Sequence, residues 1–374
     1  MGYPDTATGF MHVDAKNWTK FEKQEIEHRA NFSVVKFPLK PFEDSDIDVA
    51  IDCCGVCGSD VHKISGGWGD HHIPLCVGHE IIGRAVKVGP SVSWCKVGDR
   101  VGVGAQIAAD LTCKNCKAGE ENYCPNGVDT YDSAYPDGTI SQGGYSSHVR
   151  AHQQFVFPIP EKLSSEDAAP MMCAGLTVFS PLKRLGCGPG KHVAVVGIGG
   201  LGHYAVLFAA AMGAEVTAIS HSPSKKDDAY KLGAKNFISQ KDDPKWFEKY
   251  PFEFDYIINT AKAVDTFNLK MFLSTLKVMG KFHNVGMPEH ALPELHFQDF
   301  AGNGSYIGTS HIGNRTEMLE MLQLAAEKGV KSWVQEVEIS PEGCKEVVER
   351  VYNNENVRYR LCLTNYDKAF GKRY

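Results

Sequence analysis

An apolar run, His192-Val-Ala-Val-Val196, leads straight into Gly197-Ile-Gly199-Gly200-Leu201-Gly202. Leu201, Ala205, Phe208, Ala209 and Met212 then fall on one helical face that stops at Gly213. Few folds accept this order. Strand, G-x-G-x-x-G and helix in succession make a dinucleotide-binding turn. Its glycines permit a tight bend and bring backbone amides up to a pyrophosphate at the helix N-terminus. Without the flanking strand and helix, the same glycines would be only a packing turn.

The pattern continues on both sides. Strands are expected over 216–220, 236–239, 254–259, 280–285 and 305–308, with helices over 225–232 and 264–277 between them. Six strands in such alternation describe a doubly wound parallel sheet. A chain of 374 residues is long for one core, so a second domain is expected. Upstream, 31–37, 46–52 and 81–88 read as short strands separated by glycine turns, the pattern of a β-rich, barrel-like unit. Downstream, a helix over 315–328, a strand over 334–339, a helix over 342–352 and a strand over 357–363 return to it. The expected class is α/β. Residues 1–163 with 309–374 form the β-rich catalytic domain, and 164–308 the nucleotide domain, opened by the capping box Ser164-Ser-Glu-Asp167.

The end of the second nucleotide-domain strand selects the dinucleotide. An NAD site places a carboxylate there. Glu215 stands at the wrong end of that strand, and its far end carries Ser220-His221-Ser222-Pro-Ser224-Lys225-Lys226. Hydroxyls and cations suit a 2′-phosphate, which a carboxylate would repel. NADP(H) is expected, with Ser220 and Lys225 as the principal contacts and His221 and Ser222 beside them.

Eight of the twelve cysteines lie between Cys53 and Cys124. The stretch Cys54-Gly-Val-Cys57-Gly-Ser59-Asp60-Val-His62 has three readings: a redox dithiol, half of a metal site, or two buried small residues. A second group is clearer. Cys113, Cys116 and Cys124 lie in a polar segment with little core of its own, and such a lobe needs a staple. Asp110 completes a spacing of 3, 3 and 8, so Asp110, Cys113, Cys116 and Cys124 are expected to hold a structural zinc.

The strand with its glycine fingerprint, CGVCGSDVH, GHEIIG at 78–83, the cysteine-rich lobe and MMCAGLTVFSPL at 171–182 occur together. In combination they resemble a zinc-dependent medium-chain alcohol dehydrogenase with a GroES-like catalytic domain. The resemblance is nearest to the cinnamyl alcohol dehydrogenase branch, including fungal NADP-dependent enzymes, and it covers nearly the whole chain. It departs at Asp110, where the family usually has cysteine, and at His221, where some relatives carry arginine.

The resemblance implies that Cys57, His79 and Cys173 hold a catalytic zinc with one position open to substrate oxygen, and that Glu80 can enter its coordination sphere. It implies that Asp60 accepts a ring N–H of His79 and that the proton travels from substrate through Ser59 and the nicotinamide ribose to His62. Thr177 is then expected near the nicotinamide, Arg358 at the cofactor phosphates, Trp68 on the pocket wall and the strand 305–308 at a homodimer interface. Cys53, Cys54, Cys76, Cys95, Cys187, Cys344 and Cys362 are left as structural bystanders.

The expected activity is reduction of cinnamyl, aromatic and medium-chain aliphatic aldehydes, or oxidation of the corresponding primary alcohols. The alternatives are a zinc-free quinone or enoyl reductase of the same fold, and a non-catalytic nucleotide-binding protein. A net charge of −6 argues against nucleic-acid or anionic-membrane partners. The opening residues 1–23 lack the apolar core of a secretory signal, so the cytoplasm, where twelve thiols stay reduced, is the expected location.

Overall fold

The computed structural model of the protein describes residues 5–13, 32–261, 268–287 and 294–374. The chain forms two compact units, 1–173 with 314–326 and 331–374, and 174–313 with 327–330.

The first unit is built on a seven-stranded sheet around the long strand Asp46–Val56. Glu80–Val88 pairs with it antiparallel on one side, and Arg360–Thr364 on the other. Arg100–Val103 and Val156–Pro158 extend the first edge. Val334–Glu338 pairs parallel with Arg360–Thr364, so the C-terminal segment does return to this unit as expected. A separate antiparallel pair, Thr6–His12 with Phe32–Pro38, packs Phe10, Met11, Phe32 and Phe37 into the same core as this sheet. Ile47, Val49, Ile51, Ile81, Val101, Val103 and Leu361 are all fully buried and make the middle of one apolar core.

The second unit carries the parallel six-stranded sheet. Its order is Asn236–Ser239, Glu215–Ser220, His192–Val196, Phe254–Asn259, Leu276–Asn284 and Tyr306–Thr309. The chain therefore begins in the middle and reverses direction between the first and fourth strands, the doubly wound arrangement. Trp246, Phe254, Ile257, Phe272 and Phe282 fill its core.

Two expectations are corrected. The expected domain boundaries shift: 164–173, expected in the nucleotide domain, belongs to the first unit, whereas 309–313 and 327–330, expected in the catalytic domain, belong to the second. Ser164 does cap a helix there, its hydroxyl accepting from the Asp167 amide at 3.0 Å. That helix and the turn Ala169–Met172 bury Ala168, Pro170, Met171 and Met172, and the Met172 sulfur lies 2.5 Å from where a Cβ on Gly102 would stand. The expected helix over 264–277 begins outside the described residues. Within them the helix is Leu269–Ser274, and Leu276 already opens the next strand.

Candidate active site

The centre of the first unit is assembled from three distant points of the chain. Cys57 directly follows the strand Asp46–Val56 and stands as N-cap of the helix Gly58–Ile64. His79 and Glu80 open the neighbouring strand, where Glu80 sits opposite Gly55. Cys173 ends the turn Ala169–Met172. All four residues are buried, and one ligand atom from each lies within 4.8 Å of the others. The two sulfurs of Cys57 and Cys173 are 3.9 Å apart.

Charge is distributed unevenly over this group. The Cys57 thiol is held well below its usual range, first by the Cys173 thiol and then by His79. Cys57 and burial push the Cys173 thiol the opposite way, well above its usual range. Burial opposes charge on His79, but Asp60 and Cys57 outweigh it and push it up to about 9. Burial pushes Glu80 up to about 8 against the pull of Arg360. Nε2 of His79 and Oε2 of Glu80 are buried without a hydrogen-bond partner. Two sulfurs, an imidazole nitrogen and a carboxylate oxygen, the last two orphaned, make a donor set that fits zinc.

Asp60 is placed differently from expectation. Its Oδ1 is 3.9 Å from His79 Nδ1, too far for a hydrogen bond. Its carboxylate instead accepts from the amides of Cys57, at 2.9 Å, and Gly78, at 3.1 Å. It thereby fixes the backbone on either side of the cluster and acts on His79 through charge. Ser59 Oγ lies 3.5 Å from Cys57 Sγ. His62, one helical turn on, stacks on Trp68 with ring centroids 4.9 Å apart. Cys54 is a spectator in this geometry. It is fully buried, donates to its neighbour's carbonyl, and burial raises its thiol well above the usual range.

Two further residues had no local signal in the sequence. Arg360 pairs with Glu80 Oε1, both side chains buried. The pair meets across Gly55, where an added Cβ would stand 2.1 Å from Glu80 Oε2, so glycine is required for Glu80 to cross the strand. Tyr131 stacks face to face on His79, with centroids 5.4 Å apart and planes 2° apart, and its hydroxyl bonds Asp60. Arg358, expected at the cofactor phosphates, is exposed and lies over Trp333.

The second cluster is local. Asp110, Cys113, Cys116 and Cys124 bring their ligand atoms within 4.8 Å, all four half-buried. Asp110 Oδ1 accepts from the amides of Thr112 and Cys113, at 2.9 and 3.0 Å, and its Oδ2 from Asn126 at 2.8 Å. The Cys113 amide, then Asn126 and Thr112, hold this carboxyl well below its usual range. A fixed, ionised oxygen beside three sulfurs fits zinc. Glu121, in the same lobe, accepts from the Arg315 amide at 2.6 Å and ties the lobe to the helix Arg315–Lys328. Among the described residues these are the two groups arranged to hold a metal.

In the second unit the glycine fingerprint sits between His192–Val196 and the helix Gly202–Ala211. A Cβ on Gly202 would stand 1.8 Å from the Gly197 carbonyl, which excludes any side chain there. Gly199 has nothing within 4 Å of its Cβ position, and Leu201 gives the helix no side-chain cap. Gly200 accepts from the buried His203 ring at 2.9 Å. The turn thus presents open backbone and uncapped amides, as a pyrophosphate requires. Ser220 is the last residue of its strand and buried, His221 is exposed, and Ser222 bonds Ser224 at 2.9 Å. Lys225 Nζ donates to the Ile198 carbonyl at 2.7 Å, which joins the loop after this strand to the glycine turn. Thr177 is half-buried on the helix Ala174–Arg184.

Residues 43–161 match the alcohol dehydrogenase GroES-like domain, and 200–327 match the zinc-binding dehydrogenase domain. The chain is 42% identical to the NADP-dependent alcohol dehydrogenase 6 of Saccharomyces cerevisiae, over 99% of this chain and 100% of that protein. It is also 42% identical to a probable cinnamyl alcohol dehydrogenase of Oryza sativa over 86% of each. A solved cinnamyl alcohol dehydrogenase of Sorghum bicolor superposes with a TM-score of 0.87 at 34% identity, covering 99% of both chains. The CAD of Helicobacter pylori complexed with NADP(H) gives 0.83 at 29% identity, covering 96% of this chain and 98% of that one.

Proposed function

Since the chain belongs to the zinc-binding alcohol dehydrogenase family, in its cinnamyl alcohol dehydrogenase branch, we infer that it is a zinc-dependent, NADP(H)-linked alcohol dehydrogenase acting mainly as an aldehyde reductase. The observation that carries this reading is the buried group Cys57, His79, Glu80 and Cys173, with its orphaned imidazole and carboxylate atoms. A zinc-free reductase of the same fold has no use for such a group.

When bound, zinc supplies Lewis acidity toward a carbonyl or alcohol oxygen, and the nicotinamide supplies or accepts the hydride. The chain's own residues do the rest. Cys57, His79 and Cys173 hold the metal, and Arg360 keeps Glu80 at its edge. Ser59 exchanges a proton with the substrate oxygen, and His62, on the same helical face, exchanges it with water. Asp60 fixes the backbone at Cys57 and at Gly78, the residue before His79, and so positions both ligands. Asp110, Cys113, Cys116 and Cys124 hold a second zinc that staples the lobe. In the nucleotide unit the turn from Gly197 to Gly202 receives the pyrophosphate, and Ser220, His221, Ser222 and Lys225 receive the 2′-phosphate. Thr177 faces the nicotinamide and Arg358 a cofactor phosphate by analogy with the family.

The substrates are small aldehydes and alcohols, with cinnamyl, aromatic and medium-chain aliphatic side chains preferred. Tyr306–Thr309 forms the edge of the six-stranded sheet, with Tyr306 half exposed and Val278 and Met279 exposed on the adjacent strand. An apolar open edge supports a homodimer closed by strand pairing. No described helix is long and apolar enough to cross a membrane. Twelve free cysteines support a cytoplasmic location. NADPH and NADH oxidation with cinnamaldehyde tests the assignment. NADPH should be preferred at least about tenfold, and equal turnover with the two cofactors would sink the phosphate reading.

A further inference from the structure

The loop after the helix Gly58–Ile64 carries Trp68, an indole 41% exposed whose ring lies 13° from parallel with His62. Its backbone turns at Gly66 and Gly69, which take positive φ, 71° and 103°, and the Gly67 amide donates to the His62 carbonyl at 2.9 Å. One buried carboxylate restrains it. Asp132 Oδ1 accepts from the His72 amide at 2.8 Å and meets His72 Nδ1 at 2.7 Å. Asp132 Oδ2 meets Lys63 Nζ at 2.7 Å, and only 3% of the Asp132 side chain is exposed. Lys63 lies where the loop begins and His72 where it ends, so a single side chain ties both ends. Burial opposes the charge on Asp132, but Lys63 and His72 outweigh it and keep the carboxyl below its usual range.

Asp132 is itself anchored. Its backbone is left-handed, with φ 58°, and its amide donates to Ser141 at 3.0 Å. The preceding residue is Tyr131, stacked on His79 and bonded to Asp60. The segment therefore joins the metal-binding group on one side to the Trp68 loop on the other.

We propose that Asp132 is a positioning residue that sets which aldehydes the enzyme accepts, by clamping Lys63 and His72 so that Trp68 is held against His62, itself one helical turn beyond Ser59, as a wall for bulky side chains. This rests on the zinc dehydrogenase reading above. Small aldehydes need only the metal-binding group and Ser59, whereas an aromatic or long side chain needs a fixed apolar face.

The test is Asp132→Asn. Asparagine keeps the shape and tolerates left-handed backbone, so it removes the charge without adding strain. With NADPH, the KM for cinnamaldehyde should rise about tenfold, while the KM for propanal moves by no more than about twofold and zinc content is unchanged. Acrylamide quenching of Trp68, isolated by comparison with Trp68→Phe, should become stronger. Equal loss for both aldehydes, unchanged KM for both, or unchanged quenching overturns the proposal. A wild-type protein that reduces neither aldehyde would defeat the functional reading, and the quenching comparison would still decide whether Asp132 holds the loop.

Discussion

The two cysteine groups of this protein use similar atoms in opposite ways. Asp110, Cys113, Cys116 and Cys124 come from one stretch of fifteen residues and are half-buried. Their polar lobe has little apolar core of its own, so an ion held there would stand in for one. Cys57, His79, Glu80 and Cys173 come from three distant points, are fully enclosed, and rest on a core that exists without them. The lobe's carboxylate is oriented by three hydrogen bonds, which leave it a lone pair for the metal. The buried group keeps two polar atoms without partners. Buried donors without hydrogen-bond partners mark where a metal fits, whereas the lobe's donors are fixed by their own loop.

Substitutions should separate the two groups. Cys57→Ala should lower kcat/KM for aldehyde reduction by about a thousandfold, equivalent to ~4 kcal/mol of lost polarisation. Cys54→Ala, three residues away, should stay within about threefold. Comparable losses from both would mean that the dithiol, and not the long-range group, is the working unit. Ser59→Ala should lower kcat by about a hundredfold while zinc content stays constant; an intact kcat removes Ser59 from the proton path. In the lobe the effect should move from turnover to stability. Cys116→Ser should lower the melting temperature by roughly 5–10 °C and leave kcat of the folded enzyme within about threefold. A collapse of turnover at full stability would erase the distinction. The smallest effect is expected from Asn126→Ala, which frees Asp110 Oδ2. Zinc loss to a chelator should quicken by about tenfold with activity initially unchanged. Unaltered release would show that the hydrogen bond does not tune the ligand.

Local features were legible in the residues. The glycine fingerprint, the six strands around it and the spacing of the lobe ligands all follow from patterns within a few turns or strands of the chain. The buried group was legible only through family resemblance, since nothing near Cys57 points to Cys173. Contacts across strands were missed. Asp60 spends its carboxylate on the amides of Cys57 and Gly78 and not on the His79 ring. Arg360 reaches Glu80 from the first residue of the strand Arg360–Thr364, a pairing that nothing near either residue in the sequence announces. Tyr131 and Asp132 sit in an irregular segment with no periodicity, so their partners His79, Asp60, Lys63 and His72 had no signature in the sequence. The boundary error at 164–173 has the same origin: a capping box marks where a helix starts but not which core it packs against.

Zinc content of purified Cys57→Ala protein tests the central claim most directly. The wild-type chain should carry two zinc ions, one for each group. The variant should keep the lobe zinc, lose the other, and fail to oxidise NADPH with cinnamaldehyde. Two zinc ions retained with turnover intact would contradict a catalytic metal held by Cys57, His79 and Cys173.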